Sequence, residues 1–314
     1  AVRRCRELDP ARAVPWVADP KWLRSTETPS CFEAVVTSAG RIFYLFDEGP
    51  VGITDQRLPE RWSLICRDAF NGKFLWKRPL EKWGWPEWAA DKFGDKDWTT
   101  ITGGRTVVPE QNQRRLVADG GRLYATLSFD APLSILDAAT GETLATAEGT
   151  SPVREIVAAG GTVVVFSTPA GEGEVAGGGK RAKGKAAKAG APGVISGVDG
   201  VSGRVLWRAE VAGVRPLSLA IDGGRVVCLA GPRVLALDLK SGAEVWSAPV
   251  GQKAPKTLVA HAGHVVVSGS SGIGVHDGAT GAVLWQKAVP MAHGPEGQDL
   301  FIVEEVGWPG LLSG

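Results

Sequence analysis

The 314-residue chain contains no CxxC pair and no two adjacent cysteines. Its four Cys, at 5, 31, 66 and 228, are too scattered to signal a zinc ribbon, a thioredoxin-type site or a c-type haem attachment. Cys66 and Cys228 sit in apolar runs (SLICRDA and VVCLAG), where a small buried thiol is the plain expectation. No apolar run approaches the ~18–20 residues that a membrane-spanning helix needs. Thirty-five basic against 34 acidic residues leave a net charge of +1, so no overall field draws the chain to nucleic acid or an anionic surface. The amino end, AVRRCRELDP, has arginines but no apolar stretch behind them, and Met291 is the single methionine. A chain with these ends is expected to be a fragment, a processed product or an expressed domain.

Glycine is abundant, 42 residues of 314, roughly twice the usual ~7%. Twelve Trp stand against two Tyr, an imbalance that points to a motif using tryptophan repeatedly. One string does recur: DAFNGKFLW from Asp68, DAATGETLA from Asp137, DGVSGRVLW from Asp199, DLKSGAEVW from Asp238 and DGATGAVLW from Asp277. The pattern is Asp-x-x-(Thr/Ser/Asn)-Gly-x-x-(Leu/Val)-Trp. Its glycines are Gly72, Gly141, Gly203, Gly242 and Gly281, and its tryptophans Trp76, Trp207, Trp246 and Trp285, with Ala145 the one departure. The last two glycine spacings are both 39 residues, which defines the bare unit.

Each unit reads as four short strands, A to D, with a Gly-containing A–B hairpin and the Asp…Gly motif as the C–D turn. Strand B is continuously apolar (Val163–Phe166, Val226–Leu229, Val265–Val267), and strand D carries an aliphatic residue beside its Trp. Successive residues point to opposite faces, so both faces of each sheet are expected to be covered. Radial stacking of four-stranded antiparallel blades achieves this, which predicts an all-β protein with β-propeller architecture. About five complete blades and a partial sixth are expected, a piece of a propeller of ~6–8 blades. On this reading residues 1–30 are an N-terminal segment offering a possible outer closing strand. Residues 31–290 are the blades, and 291–314 a partial sixth.

The string Asp-x-x-Thr/Ser-Gly-x-x-x-Trp resembles the tryptophan-docking repeat of the PQQ-like propellers. That family includes quinoprotein alcohol dehydrogenases and an outer-membrane assembly lipoprotein. The resemblance implies that Trp76, Trp207, Trp246 and Trp285 dock against the next blade, with Asp68, Asp137, Asp199, Asp238 and Asp277 as structural turn residues. The section from Pro15-Trp16 to Gly72 also resembles large bacterial proteins, some of which join such a propeller to a methyltransferase domain. A periplasmic or cell-envelope location is implied by the family resemblance alone.

Three insertions, 49–61, 79–113 and 169–193, all fall in B–C or D–A connections, which emerge on one face of a propeller. That face is the candidate surface for a protein partner, a fused domain or a ligand. The second insertion holds Trp83, Trp85, Trp88 and Trp98. These read either as an aromatic platform for a partner or as a cap packed on the propeller's own rim. The third is a Gly/Ala/Lys-rich loop with a basic run from Lys180 to Lys188 and no interleaved aromatic, so a solvated loop is favoured over a nucleic-acid arm. His261 and His264 flank a hairpin turn with no third ligand in view, and His276 stands where other copies carry Arg67, Leu136, Val198 and Leu237. No catalytic, cofactor or metal residues are expected, and the chain is read as a non-catalytic scaffold. The alternatives are a dehydrogenase using PQQ with calcium, or a sensor module of a larger enzyme.

Overall fold

The computed structural model describes residues 32–48, 60–88, 109–168 and 192–288. Val14–Val17, Trp98, the basic run and the partial sixth blade lie outside these residues. Twenty strands form five four-stranded antiparallel sheets, each in sequential order. The first blade is β1 (Phe32–Ser38), β2 (Arg41–Asp47), β3 (Trp62–Asp68) and β4 (Phe74–Pro79). The second is β5 (Leu116–Asp119), β6 (Arg122–Thr126), β7 (Leu133–Asp137) and β8 (Thr143–Ala147). The third comprises β9 (Val153–Ala159), β10 (Thr162–Ser167), β11 (Pro192–Asp199) and β12 (Val205–Ala212). The fourth runs through β13 (Ala220–Asp222), β14 (Arg225–Ala230), β15 (Arg233–Asp238) and β16 (Glu244–Pro249). The fifth ends the described residues with β17 (Pro255–His261), β18 (His264–Gly269), β19 (Gly272–Asp277) and β20 (Val283–Lys287). The innermost strands touch in chain order, β1 with β5, β5 with β9, β9 with β13 and β13 with β17. This is a β-propeller arrangement.

The alternation in strand B is what stacks the blades. Val163 and Val165 enter the core shared with the second blade, while Val164 and Phe166 enter the core shared with the fourth. Val226 and Cys228 face the third blade, and Val227 and Leu229 the fifth. One apolar core therefore fills each of the four blade junctions. The A–B hairpins close through turns with positive φ at both central residues, such as Gly223 and Gly224 (φ 54° and 74°). That conformation matches the right-handed twist of the strands. In the C–D turns the Asp Oδ1 accepts the N–H groups two and three residues on, as Asp238 does from Lys240 (3.1 Å) and Ser241 (2.8 Å).

Each described Trp of the repeat except Trp285 lies over the turn glycine of the next blade and bonds one carbonyl there. Trp76 Nε1 donates to Ala138 O (3.2 Å), Trp207 Nε1 to Leu239 O (2.9 Å) and Trp246 Nε1 to Gly278 O (3.0 Å). The acceptor is always the residue after the repeat Asp. A Cβ on Gly141, Gly242 or Gly281 would run into the ring, so glycine serves here for close approach as well as for its positive φ. At the junction that has Ala145 instead of Trp, the Tyr124 hydroxyl donates to the equivalent carbonyl, Gly200 O, at 3.3 Å.

One expectation needs correcting. The aliphatic residues beside the tryptophans, Leu75, Leu144, Leu206, Val245 and Leu284, are 40–52% exposed rather than covered. Strand D is the outermost of each blade, and the twist of a sheet carries its outer edge away from the neighbouring blade. Only its Trp is long enough to reach across.

Trp246 is 8% exposed and Trp285 50% exposed. Trp246→Ala should therefore lower stability by about 3–5 kcal/mol, as for a buried Trp, and Trp285→Ala by well under half of that. Denaturant unfolding of both variants checks this, and equal losses would show that the inter-blade contact is not what holds Trp246.

Candidate functional site

On the face that carries the insertions, side chains from the first three blades converge on Phe129, which lies in the β6–β7 connection. Arg115, just before β5, sets its guanidinium 4.2 Å over the Phe129 ring and donates from NH1 to the Phe129 carbonyl. Arg154, on β9, lies 5.0 Å from the same ring centroid and pairs with Asp130 at 2.9 Å. Trp83 and Trp88 meet the ring from the inserted segment, with centroids 6.2 and 5.4 Å away. Both arginines are buried. A guanidinium loses little hydration on burial and gains from a ring face, which explains why a ring lies beneath each of them.

The inserted segment is tied down by its own backbone. Phe129 N donates to Lys82 O (3.1 Å), and the single helical turn Trp85–Trp88 follows. Trp83 is buried, and Trp88 is half-buried against Trp62. These two indoles thus pack against the propeller, and an exposed platform is not what they form. Trp85 lies in the helical turn.

Two buried carboxyl groups flank this nest. Glu33, near the start of β1, has its pKa raised to about 8 by burial, with the nearby Glu60 adding to the rise. The Asn112 amide and Arg115 temper it. Asn112 itself is fully buried, yet neither Nδ2 nor Oδ1 reaches hydrogen-bonding geometry with any group. Glu155, on β9, is raised to about 7 by burial, against the pull of Arg114 and of two backbone amides. Those amides are Leu217 N (2.9 Å) and Leu219 N (3.1 Å) of the fourth blade. Between the two acids sits the 3-10 turn Glu110–Arg114, in contact with β1, β5 and β9.

Outward from Trp62 the same face holds a cleft of about 430 Å³ lined by Glu48, Glu60, Arg61, Ser63 and Lys77. Lys77 pairs with Glu48 at 3.0 Å. The opposite face consists of hairpin turns linked blade to blade, by Ser38 Oγ to Gly120 O (2.9 Å) and by Gly263 N to Asp222 Oδ2 (2.7 Å). The five repeat aspartates all lie on that closed face, each in its own turn. His261 and His264 flank a hairpin there, while His276 is buried with Nδ1 3.2 Å from Gly281 O. Arg67 reaches the corresponding Gly72 carbonyl in the first blade, so the position 67/276 carries a turn clamp in two blades. The Cys66 and Cys228 thiols are pushed up to about 12 by burial and are chemically quiet. Among the described residues no three His, Cys, Asp or Glu side chains come together as metal donors, a donor set that does not fit a calcium-held quinone.

Residues 191–299 match the PQQ-like repeat family described as outer membrane protein assembly factor BamB. No curated protein matches the chain. Among solved structures, the chain is similar to the computationally designed Ika8 protein, with 17% identity and a TM-score of 0.49 over 82% of this chain and 61% of that one. It is also similar to BamB from Moraxella catarrhalis, with 14% identity, a TM-score of 0.42 and coverage of 86% and 76%. A third likeness is to quinohemoprotein alcohol dehydrogenase from Comamonas testosteroni, with 15% identity and a TM-score of 0.49 over 83% of this chain and 43% of the enzyme. The chain thus spans less than two thirds of the designed protein and less than half of the dehydrogenase. Its repeats are PQQ-like propeller repeats.

Phe129→Leu keeps an apolar side chain but removes the ring shared by two guanidiniums. The expected loss is about 2 kcal/mol, from cation–π contacts of ~0.5–2 kcal/mol each. Chemical denaturation measures it, and a loss below about 0.5 kcal/mol would mean that Arg115 and Arg154 do not depend on the ring.

Proposed function

We propose that this chain is a non-catalytic propeller scaffold that binds a protein, a fused domain or a ligand through the face bearing the insertions. The observation that carries the reading is the asymmetry of the two faces. One is closed by repeated tight turns, whereas the other gathers buried arginines, carboxyls and the unpaired Asn112 beside a charged cleft. Binding groups concentrate where loops of variable length rise from a rigid frame. A location in the cell envelope is part of the same proposal and is supported by the BamB description of the matching repeats. No helix among the described residues is long and apolar enough to cross a membrane.

A photo-crosslinking residue in place of Lys77, at the cleft, should capture a defined partner in the producing cell. The same residue in place of Lys240, in a turn of the opposite face, should capture none. Adducts of equal yield at both positions would remove the assignment to the inserted face. The dehydrogenase alternative is tested by incubating the protein with PQQ and calcium and then desalting. The scaffold reading expects no quinone absorbance to remain with the protein, and a stoichiometric retained chromophore would overturn it.

A further inference from the structure

The 3-10 turn Glu110–Arg114 is held in an unusual way for so buried a segment. It is five residues long, and its Pro109 N-cap has no side-chain hydrogen bond. Its internal closure rests on Asn112 N to Pro109 O (3.0 Å) and Arg115 N to Asn112 O (3.2 Å). Asn112 is fully buried with both amide atoms unpaired. An unmet amide in a dry site is costly, so this turn is anchored by packing rather than by polar bonds. The packing places an acid on either side, Glu33 facing Asn112 and Glu155 facing Arg114.

We propose that this turn is a pH-responsive plug in the inserted face, seated while Glu33 and Glu155 are neutral and released as they ionise. The physical basis is linkage. A carboxyl that holds its proton more tightly in the closed form than in water biases the closed form towards acid conditions. Opening hydrates the acids and lets them ionise at their ordinary values, so rising pH favours the open form. Both flanking acids have the required sign, raised to about 8 and about 7.

The surrounding charges oppose this bias without reversing it. Arg115 acts on Glu33 and Arg114 on Glu155, both favouring ionisation, while Glu60 disfavours it at Glu33. Arg154, next to Glu155 on β9, is engaged with Asp130 on the other side of the strand. From β14 only the Cys228 thiol is coupled to Glu155, and β10 presents Phe166, its non-ionising register partner. The segment before β13 contributes the Leu217 and Leu219 amides, which a carboxylate and a neutral acid can both accept. Release would uncover Arg115 and the Phe129 ring. The plug holds or fails independently of what binds that face.

Hydrogen exchange read by mass spectrometry over residues 109–116 is the test, with the chemical exchange rate at each pH divided out. In the wild-type protein, protection of this segment should fall tenfold or more between about pH 6 and pH 9. An acid that binds its proton about tenfold more tightly in the closed form changes the opening equilibrium by the same factor once it ionises. The double variant Glu33→Gln, Glu155→Gln carries neutral isosteres and should show a flat profile. Flat wild-type protection, or an equal fall in the double variant, would overturn the proposal. So would a fall shared by β14 and β18, which would be global unfolding. Should the double variant fail to fold, the wild type decides alone, by whether the fall is confined to 109–116.

Discussion

The contact on which the architecture depends is an indole laid over a residue that has no Cβ. A four-stranded blade covered on both faces cannot stand alone in water, and each blade is completed by its neighbour. The neighbour has to be placed in register, and apolar packing alone is non-directional. The tryptophan supplies direction. Its ring needs the turn glycine for clearance, and its N–H selects one carbonyl, the one after the repeat aspartate. The aspartate in turn fixes that carbonyl by holding the turn closed. Asp, Gly and Trp are therefore one device split between two blades.

Protonation acts on the two faces with opposite sign. In the closed face Asp137, Asp199, Asp238 and Asp277 are held below the usual carboxylate range, chiefly by N–H and hydroxyl donors of their own turns. An acid depressed on folding contributes stability above its unfolded value and loses it as pH falls through the folded one. On the inserted face Glu33 and Glu155 are raised by burial. Their contribution is fully present below the unfolded value and is lost as pH rises through about 7 and about 8. The regular face is thus the acid-sensitive one, and the irregular face the alkali-sensitive one.

The blades are legible in the sequence because their signals are local and repeated. A 39-residue spacing, a turn motif and continuous apolar B strands each survive without knowledge of any contact. The nest around Phe129 is not legible, since its members come from connections of unrelated sequence. Arg115 and Arg154 meet only because the D–A and B–C loops of three blades share one face. A trace is present all the same. FEAVV at Phe32–Val36 and VREIV at Val153–Val157 each place a glutamate inside an apolar inner strand, where a buried acid is the direct physical reading. The insert tryptophans are platform or cap by sequence, and only packing separates the two for Trp83. The exposure of Leu75 and its equivalents escapes the pattern, because alternation gives the side of a strand a residue takes and not how far the twist carries that side from its neighbour.

The second junction shows which part of the Asp–Gly–Trp device is indispensable. Ala145 leaves no indole, and the carbonyl of Gly200 would face a junction with no donor from strand D. The donor comes instead from Tyr124 on strand B, which lies on the same side of the blade. The ring's bulk is not replaced, and the junction closes more tightly, with the Gly203 turn set against Ala145 and the Thr146 backbone. Removing a large side chain ordinarily leaves a void. Here the neighbouring turn occupies the space, while the hydrogen bond to the carbonyl after the repeat aspartate is retained from another strand. The carbonyl is satisfied in all four junctions and the indole is present in three, so the invariant constraint is the buried acceptor, and tryptophan is the commonest way of meeting it.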